Sequence, residues 1–171
     1  WGFICYQTQR RLHLNRPEQD APLYKTLGLA NRLTLLRSWL LAAVAGFIFQ
    51  PWPEGPALAW LPGMIYFFAA ILDRVDGFAA RRTGQFSVLG TELDTVSDAL
   101  GLAVAAVLAY GYGQVHWSYL LVAAAYYLFH AGMVYRKSRN LPNHPLPPAF
   151  HRRAWAGFQM GYLVVALWPL F

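Results

Sequence analysis

The sequence has few of the features on which a disulfide-bonded or water-soluble domain depends. Its 171 residues include one cysteine, Cys5, and a single thiol cannot form an internal disulfide. Charged residues make up only 13% of the chain, about half the share in an average soluble domain. Apolar residues make up 57%. A disulfide scaffold is therefore excluded, and the composition favours a protein that lies in a lipid bilayer.

Five apolar stretches approach the length of about 20 residues that a membrane-spanning helix needs. They lie at residues 33–50, 57–72, 96–112, 117–135 and 154–171. The sequence therefore predicts an all-α, polytopic helical bundle in the membrane. Residues 1–27 are predicted to form a cytosolic or interfacial arm, with an amphipathic surface helix at residues 23–32. A disordered arm is the alternative for residues 1–20.

All 14 lysines and arginines fall on one predicted side of the membrane. They precede or enter the first span, or lie between the second and third spans or the fourth and fifth, and the two opposite loops carry none. Short loops rich in Lys and Arg face the cytoplasm. We interpret the net charge of +6 as a cytoplasmic collar that attracts anionic lipid headgroups, and we expect no nucleic-acid partner.

Four aspartates lie at the ends of the second and third predicted spans, on the side of the basic collar. Asp73 and Asp76 share a face if the second span continues as one helix, because they are three residues apart. Asp94 and Asp98 are four residues apart and share a face of the third span. A short link joins the two helices, so the two carboxylate pairs are free to face each other.

Four converging carboxylates repel one another unless they take up protons or bind cations. A set of oxygen ligands without His or Cys indicates a hard ion such as Mg²⁺, Mn²⁺ or Ca²⁺. Four negative charges match two divalent ions, and paired metal ions are typical of phosphoryl chemistry. The alternative is that each aspartate is a solvated helix end or an ion-pair partner of Arg74, Arg81 or Arg82. We favour a functional site, because acids at membrane depth are costly.

The same region carries a fixed pattern, D-x2-D-G-x2-A-R-x8-G-x3-D-x3-D, between Asp73 and Asp98. This pattern resembles the signature of the class I CDP-alcohol phosphatidyltransferases. A second, weaker similarity is the stretch Ala30-Asn31-Arg32-Leu33-Thr34, in which Ala30 stands where the family usually has proline. Together these stretches indicate that residues 28–171 form the transmembrane transferase domain. The family has six membrane helices and pairs as dimers, so we expect a homodimer and a sixth helix beyond the end of this chain.

The resemblance implies a reaction in which an alcohol attacks CDP-diacylglycerol and CMP leaves, at the cytoplasmic face of the membrane. It assigns Asp73, Asp76 and Asp94 as ligands of two Mg²⁺ or Mn²⁺ ions. Asp98 is the general base and a possible ligand of the second ion. The residues that it assigns to the nucleotide are Asn31, Thr34, Gly77, Ala80, Arg81, Ser87 and Gly90. For Asn31, a plain helix cap is an equal alternative.

Basic residues near the fourth and fifth spans are similar to those that some family members use for a phosphorylated acceptor. They are Lys137, Arg139, Arg152 and Arg153. On this interpretation the acceptor is glycerol 3-phosphate or inositol phosphate rather than serine, as in members that make phosphatidylglycerophosphate or phosphatidylinositol phosphate. For Arg152 and Arg153, anchoring to anionic lipid is an equal alternative.

Two other functions remain open at the level of sequence. Within the family, the alternative is phosphotransfer from a soluble CDP-alcohol to diacylglycerol. From a different class, a divalent-cation transporter would also use acidic side chains, but it needs them near the bilayer midplane. Arg37, inside the first span, is predicted to extend back to the interface, and the alternative is that it reaches the site and binds phosphate.

Overall fold

The computed structural model describes residues 1–18, 20–142 and 150–170, and only the backbone of residues 150, 152 and 153. Within these residues the chain forms six α-helices and no strand, which confirms the all-α prediction. The helices are α1 (Gly2–Arg10), α2 (Leu29–Gly46), α3 (Leu61–Thr83), α4 (Val88–Gly111), α5 (Tyr119–Ser138) and α6 (Phe150–Ala166). Short 3₁₀ segments follow α2 at Phe47–Phe49 and precede α3 at Leu58–Trp60.

Three of the described helical segments are long and apolar enough to cross a membrane: Leu29–Phe49, Leu58–Thr83 and Val88–Gly111. The fourth and fifth predicted spans correspond to α5 and α6. Helix α5 has 20 residues but ends in Arg136 and Lys137, and the apolar part of α6 is short, at Ala154–Ala166. By length and composition, therefore, three of the five predicted spans qualify.

A tight turn connects the end of α3 to the start of α4. Gly84 ends α3 with φ of 64°, a left-handed conformation that glycine adopts without a Cβ penalty. Ser87 then caps α4, because its Oγ accepts a hydrogen bond from the backbone N–H of Gly90 at 3.0 Å. The end of α3 that carries two aspartates is therefore close to the start of α4, and α2 packs against both helices.

Helix α2 packs against both α3 and α4, α5 packs on α4, and α6 packs mainly on α3. The apolar core lies away from the aspartates and includes Val44, Leu108, Leu163 and Leu167, each fully buried. Close approach of α2 to α4 depends on Gly101, where an added Cβ would lie 3.1 Å from Leu41. The core therefore fixes the three helices whose polar ends form the site.

The N-terminal arm contains a helix, but not at the predicted position. Helix α1 spans Gly2–Arg10 and packs on α4 through the buried Ile4, so this part of the arm is ordered. Residues 23–28 are not helical, and residues 29–32 form the first turn of α2. The amphipathic helix predicted at residues 23–32 is wrong because Gly28, with ψ of 162°, is extended and begins a new helix.

Candidate active site

Three of the four aspartates form a compact group between α3 and α4. One carboxylate oxygen from each of Asp73, Asp76 and Asp94 lies within 4.8 Å of the other two. Asp76 is buried, whereas 45% of the Asp94 side chain is exposed. The predicted convergence of carboxylates from two neighbouring helices is therefore present in the structure.

Arg37 of α2 lies at the centre of the aspartates. Its Nη1 is 2.7 Å from Oδ1 of Asp73 and 2.9 Å from Oδ1 of Asp94, and its Nη2 binds Oδ1 of Asp98. Arg37 is only 2% exposed. The prediction that this side chain extends back to the interface is wrong, because three carboxylates compensate its charge inside the bundle. Asp98 is bound to this guanidinium and lies outside the group of three.

A row of polar side chains on α2 faces the site. Asn31, Thr34, Arg37 and Ser38 are all buried on one face of the helix, since Asn31, Thr34 and Arg37 are three residues apart and Ser38 is four residues after Thr34. The Oγ1 of Thr34 donates to Oδ2 of Asp76 at 2.9 Å, and Ser38 shares a hydrogen bond of 2.8 Å with Ser97 of α4. Helix α2 thus supplies the hydrogen-bond donors and the positive charge for the acidic ends of α3 and α4.

Asn31 is held within the site rather than at a helix end. Helix α2 is capped by Gly28, and the Nδ2 of Asn31 donates to Oγ of Ser87 at 3.0 Å. The helix-cap alternative for Asn31 is therefore wrong. A Cβ added to Gly90 would overlap Oδ1 of Asn31 and lie 3.1 Å from Oγ of Ser87. Only glycine at this position leaves room for the Asn31–Ser87 pair.

A cavity of about 180 Å³ opens beside these residues. All seven residues that the family resemblance assigns to the nucleotide line it, together with Asp76 and Asp94. Gln85, Phe86, Thr91 and Ala30 also line it, and sequence reasoning did not select them. The guanidinium of Arg81 lies over Gly77, where an added Cβ would be 3.4 Å from Nη1. The cavity is thus lined by one positive charge, from Arg81, and by the carboxylates of Asp76 and Asp94.

Asp98 faces a different groove, of about 430 Å³, between α4, α5 and α6. Most of its lining is apolar, with Thr95, Tyr126 and Gln159 as polar neighbours of Asp98. Arg37 binds Asp94, which lines the first cavity, and Asp98, which lines this groove. The acidic side chains are therefore divided between two cavities, with Asp76 and Asp94 in the first and Asp98 in the second.

Of the predicted acceptor residues, the structure describes the side chains of Lys137 and Arg139, and it places neither in a cavity. Lys137 and Arg139 are exposed at the end of α5, and the guanidinium of Arg139 lies 5.5 Å from the ring centre of Tyr135. Neither residue lines the cavity or the groove described above. Arg152 and Arg153 are on the first turn of α6, and their side chains lie outside the described part of the protein.

The alternative prediction was that each aspartate is a solvated helix end or an ion-pair partner of an arginine, and the structure agrees with it only in part. Asp73 pairs with Arg37, and its contact to Arg74 is long, at 3.9 Å with Arg74 largely exposed. Asp76 accepts its hydrogen bond from Thr34. Glu92, which the sequence places on the other face of α4, is exposed and lies 3.9 Å from Arg11. Glu92 is therefore a carboxylate of α4 that lies outside the site, and it can serve as a control for the aspartates within it.

The acidic group fits a hard divalent cation. Its three ligand atoms are carboxylate oxygens, which Mg²⁺, Mn²⁺ and Ca²⁺ prefer, and they lie close enough to be shared by one ion. Three carboxylates bind one buried guanidinium, and Asp76 lies beside them bonded to Thr34, so the acidic side chains outnumber the basic one. That excess favours cation binding. Asp73, Asp76 and Asp94 are the residues that would hold the ion.

Comparison with known proteins agrees with this geometry. A model of the CDP-alcohol phosphatidyltransferase family matches residues 27–170, and the chain belongs to this family. The chain is 32% identical over 105 residues to the CDP-diacylglycerol–glycerol-3-phosphate 3-phosphatidyltransferase of Blochmanniella floridana, covering 60% of this chain and 54% of that protein. It is 38% identical over 85 residues to the protein of that name from Pectobacterium atrosepticum, covering 50% of this chain and 45% of that one.

The name of a plant relative gives a different activity. Choline/ethanolaminephosphotransferase 2 of Arabidopsis thaliana is 37% identical over 86 residues, covering 47% of this chain and 22% of that protein. The matches thus span about half or less of the length of these three relatives. No solved structure gives a significant match. The comparisons therefore establish the family of this chain.

Proposed function

We propose that the protein transfers a phosphatidyl group from CDP-diacylglycerol to a phosphorylated alcohol and releases CMP. The observation that carries this proposal is the cavity between α2, α3 and α4, which gathers every motif residue that the family assigns to the nucleotide. Family membership supports the proposal, as do two relatives whose names give this activity. Glycerol 3-phosphate is the first acceptor to test, because those relatives are named for it.

Each part of the nucleotide would find a chemically suitable wall in the cavity. Arg81 provides a positive charge for a phosphate, and Gly77 and Ala80 present little side-chain bulk to the cytidine. Asn31 and Ser87 add hydrogen-bonding groups on the opposite wall. When Mg²⁺ or Mn²⁺ is bound to Asp73, Asp76 and Asp94, it neutralises the pyrophosphate and the charge that develops on CMP. Two such ions, with Asp98 as a ligand of the second, are our expectation for the full site.

Asp98 is suited to accept the proton of the alcohol. In the proposed reaction the alcohol lies in the second groove, its hydroxyl proton passes to a carboxylate oxygen of Asp98, and its oxygen attacks the phosphorus next to diacylglycerol. The bond from that phosphorus to the bridging oxygen breaks, and CMP leaves with that oxygen. Because Arg37 binds both Asp94, which lines the nucleotide cavity, and Asp98, which lines the groove, the attacking and leaving groups would occupy two neighbouring spaces.

The membrane location fits a reaction between a lipid and a soluble alcohol. The acidic ends of α3 and α4 occur at one end of two segments apolar enough to span the bilayer. We propose that this end faces the cytoplasm, on the side of the basic collar, and that the enzyme acts as a homodimer in an inner membrane or its equivalent. The candidates for binding the acceptor phosphate remain Lys137, Arg139, Arg152 and Arg153.

A second candidate is phosphotransfer from a soluble CDP-alcohol to diacylglycerol. The relative named choline/ethanolaminephosphotransferase 2 favours this direction. Both reactions use the same nucleotide cavity, so the cavity does not distinguish them. The polar set of Thr95, Asp98 and Gln159 in an otherwise apolar groove fits either a small alcohol or the free hydroxyl of diacylglycerol.

The test is CMP release by the purified full chain with Mg²⁺ or Mn²⁺. CDP-diacylglycerol is supplied with glycerol 3-phosphate, inositol phosphate, inositol or serine, and CDP-choline is supplied with diacylglycerol. The proposal expects release that depends on both CDP-diacylglycerol and one phosphorylated alcohol. Release only from CDP-choline selects the second candidate, and metal-dependent ion flux in vesicles without any CMP release selects the transporter.

A further inference from the structure

The N-terminal arm reaches the nucleotide cavity through one side chain, Asn15. This residue precedes the part of the chain that matches the family model, which begins at residue 27. It lies between α1 and α2 and is only 6% exposed. A buried polar side chain in an irregular segment needs hydrogen-bond partners, so its contacts indicate its role.

Asn15 binds the arm on one side and the site on the other. Its Nδ2 donates to the carbonyl oxygens of Tyr24, at 3.4 Å, and Thr26, at 3.2 Å. Its backbone carbonyl accepts from the N–H of Tyr24 at 2.8 Å. Its Oδ1 accepts a hydrogen bond of 3.3 Å from Nδ2 of Asn31. The arm thus loops back on itself, and the closed loop presents an acceptor to Asn31.

The contact determines which way round the Asn31 amide is held. An amide oxygen only accepts, so Oδ1 of Asn15 selects the NH₂ end of Asn31. The same NH₂ group also donates to Ser87, and Oδ1 of Asn31 then accepts from the Ser87 hydroxyl at 3.2 Å. Ser87 in turn accepts from Gly90 N–H. The chain of bonds runs from the arm to the wall of the cavity and the first turn of α4.

The arm is joined to the same turn by its backbone as well. The carbonyl of Arg16 accepts from the N–H of Val88, the first residue of α4, at 2.9 Å. On the other side of the arm, a Cβ added to Gly28 would lie 3.0 Å from Oε1 of Gln85. The segment around Asn15 is therefore packed against the α3–α4 link, where Gln85, Phe86 and Ser87 line the cavity.

We propose that Asn15 is a positioning residue for the nucleotide: it fixes the Asn31 amide, through which the arm sets the affinity of the cavity for CMP. This inference rests on the proposed function, since it takes the cavity to be the nucleotide site. It makes the arm part of the binding machinery rather than a mere extension of the transferase domain. Asn15 itself does not line the cavity and acts only through Asn31.

The test is a double-mutant cycle on CMP binding by the purified full chain in the presence of Mg²⁺, measured by calorimetry. The variants are Asn15→Ala, Asn31→Ala and the two combined. Each single substitution is expected to raise the Kd for CMP by about fivefold, the worth of one net hydrogen bond. The double variant is expected to match Asn31→Ala within about twofold, because the two residues act in series.

Controls separate this role from general support of the fold. Thr8→Val removes a buried hydroxyl that binds the carbonyl of Ile4 within the arm, and it should leave the Kd for CMP unchanged. Thermal unfolding without nucleotide reports the stability of each variant. If Asn15→Ala does not fold, Asn15→Ser, whose shorter side chain does not reach Asn31, takes its place in the cycle.

The outcomes distinguish this inference from the proposed function. If the unaltered chain binds CMP and the losses from Asn15→Ala and Asn31→Ala multiply in the double variant, the arm supports the fold only and the inference is overturned. An unchanged Kd for the Asn15 variant overturns it as well. A chain that binds no CMP with Mg²⁺ or Mn²⁺ overturns the proposed function itself, and the inference with it.

Discussion

The Nη1 atom of Arg37 lies 2.7 Å from Oδ1 of Asp73, which links the middle of α2 to the acidic end of α3. The same nitrogen reaches Asp94 of α4, so one guanidinium joins three helices. Inside a helical bundle such an arrangement holds like charges together that would otherwise separate. Arg37 therefore assembles the acidic site before any cation binds.

Replacing Arg37 by methionine should destabilise the protein most strongly when metal is absent. Removing one partner of a buried ion pair typically costs about 3–5 kcal/mol, because the remaining charge stays uncompensated. Added Mn²⁺ should then raise the melting temperature more for Arg37→Met than for the unaltered protein. Thermal unfolding in detergent, with EDTA or with Mn²⁺, measures both effects.

The matched control for Arg37 is Arg32→Met on the same helix. Arg32 is exposed and donates to the carbonyl of Leu27, outside the acidic cluster. Its replacement should change the melting temperature little and should leave the effect of Mn²⁺ intact. Equal metal-free stability of Arg37→Met and Arg32→Met would contradict the assembling role of Arg37.

Removing a carboxylate from the group of three should weaken cation binding. Asp76→Asn keeps the size of the side chain and a hydrogen-bond acceptor for Thr34 but loses the charge. We expect its Kd for Mn²⁺, measured by electron paramagnetic resonance, to rise by at least about tenfold, a typical scale for weakened metal sites. Glu92→Gln, an exposed carboxylate on α4, should leave that Kd unchanged. A tenfold loss in both variants would mean that surface charge, not the group, binds the ion.

Asp98→Asn should leave the binding of Mn²⁺ and CMP intact but slow the chemical step. Since Asp98 lies outside the compact group, the tightest Mn²⁺ site and CMP binding should persist. The loss of the general base should lower the rate of CMP release by about 10²- to 10⁴-fold. Steady-state rates with saturating acceptor measure this change. Undiminished release from Asp98→Asn would remove the base assignment while leaving the nucleotide cavity in place.

Gly90→Ala should damage the nucleotide cavity through sterics alone. The new Cβ would overlap Oδ1 of Asn31 and press on Ser87, so the amide must move. We expect weaker CMP binding, by calorimetry, with a helix content that is unchanged by circular dichroism. Gly111→Ala on the same helix is the matched control, because its Cβ would meet no atom within 4 Å. If both variants bind CMP like the unaltered chain, the Asn31 position does not matter to the nucleotide.

Replacing Gln159 should weaken binding of the acceptor alcohol rather than binding of the nucleotide. It lines the groove that Asp98 faces and is one of the few polar groups there. Gln159→Leu should raise the KM for the alcohol by about fivefold, the worth of one net hydrogen bond, with little change in the KM for CDP-diacylglycerol. Met160→Leu in the same groove preserves an apolar lining and should leave both constants near their starting values. A change confined to CDP-diacylglycerol would instead place the lipid in this groove.

The grouping of the motif residues could be predicted from sequence because these residues lie close together along the chain. Asp73, Asp76 and Gly77 share one helix, a short link follows, and Ser87 and Gly90 begin the next helix. The turn at Gly84 then keeps the end of α3 close to the start of α4, and α2 packs against both helices. Helical periodicity and one tight connection are enough to bring such residues together.

The role of Arg37 could not be decided in the same way. An arginine inside an apolar span has two physically allowed positions, at the interface or beside buried acids, and only the packing of α2 selects one. A signal was nevertheless present: Asn31, Thr34 and Arg37 recur every three residues on one face of the helix. Polar groups that share a face of a membrane helix point toward the bundle interior.

The contribution of Asn15 had no sequence signal. Asn15 lies between two helices, and its side chain is held by hydrogen bonds to Tyr24, Thr26 and Asn31, which follow it by 9, 11 and 16 residues. The predicted amphipathic helix at residues 23–32 failed for the same reason, since Gly28 divides it into a loop and the first turn of α2. Irregular segments of this kind depend on tertiary contacts that residue spacing does not encode.

The division of the site into a cavity on α2–α4 and a groove completed by α5 and α6 has an evolutionary consequence. Under the proposed function, the activated donor and the incoming alcohol are handled by separate halves of the bundle. Mutations in the last two helices can then retune which phospholipid is made while the catalytic half stays constant. Grafting α5 and α6 from a relative of different acceptor preference is therefore the natural way to redirect this scaffold toward a new headgroup.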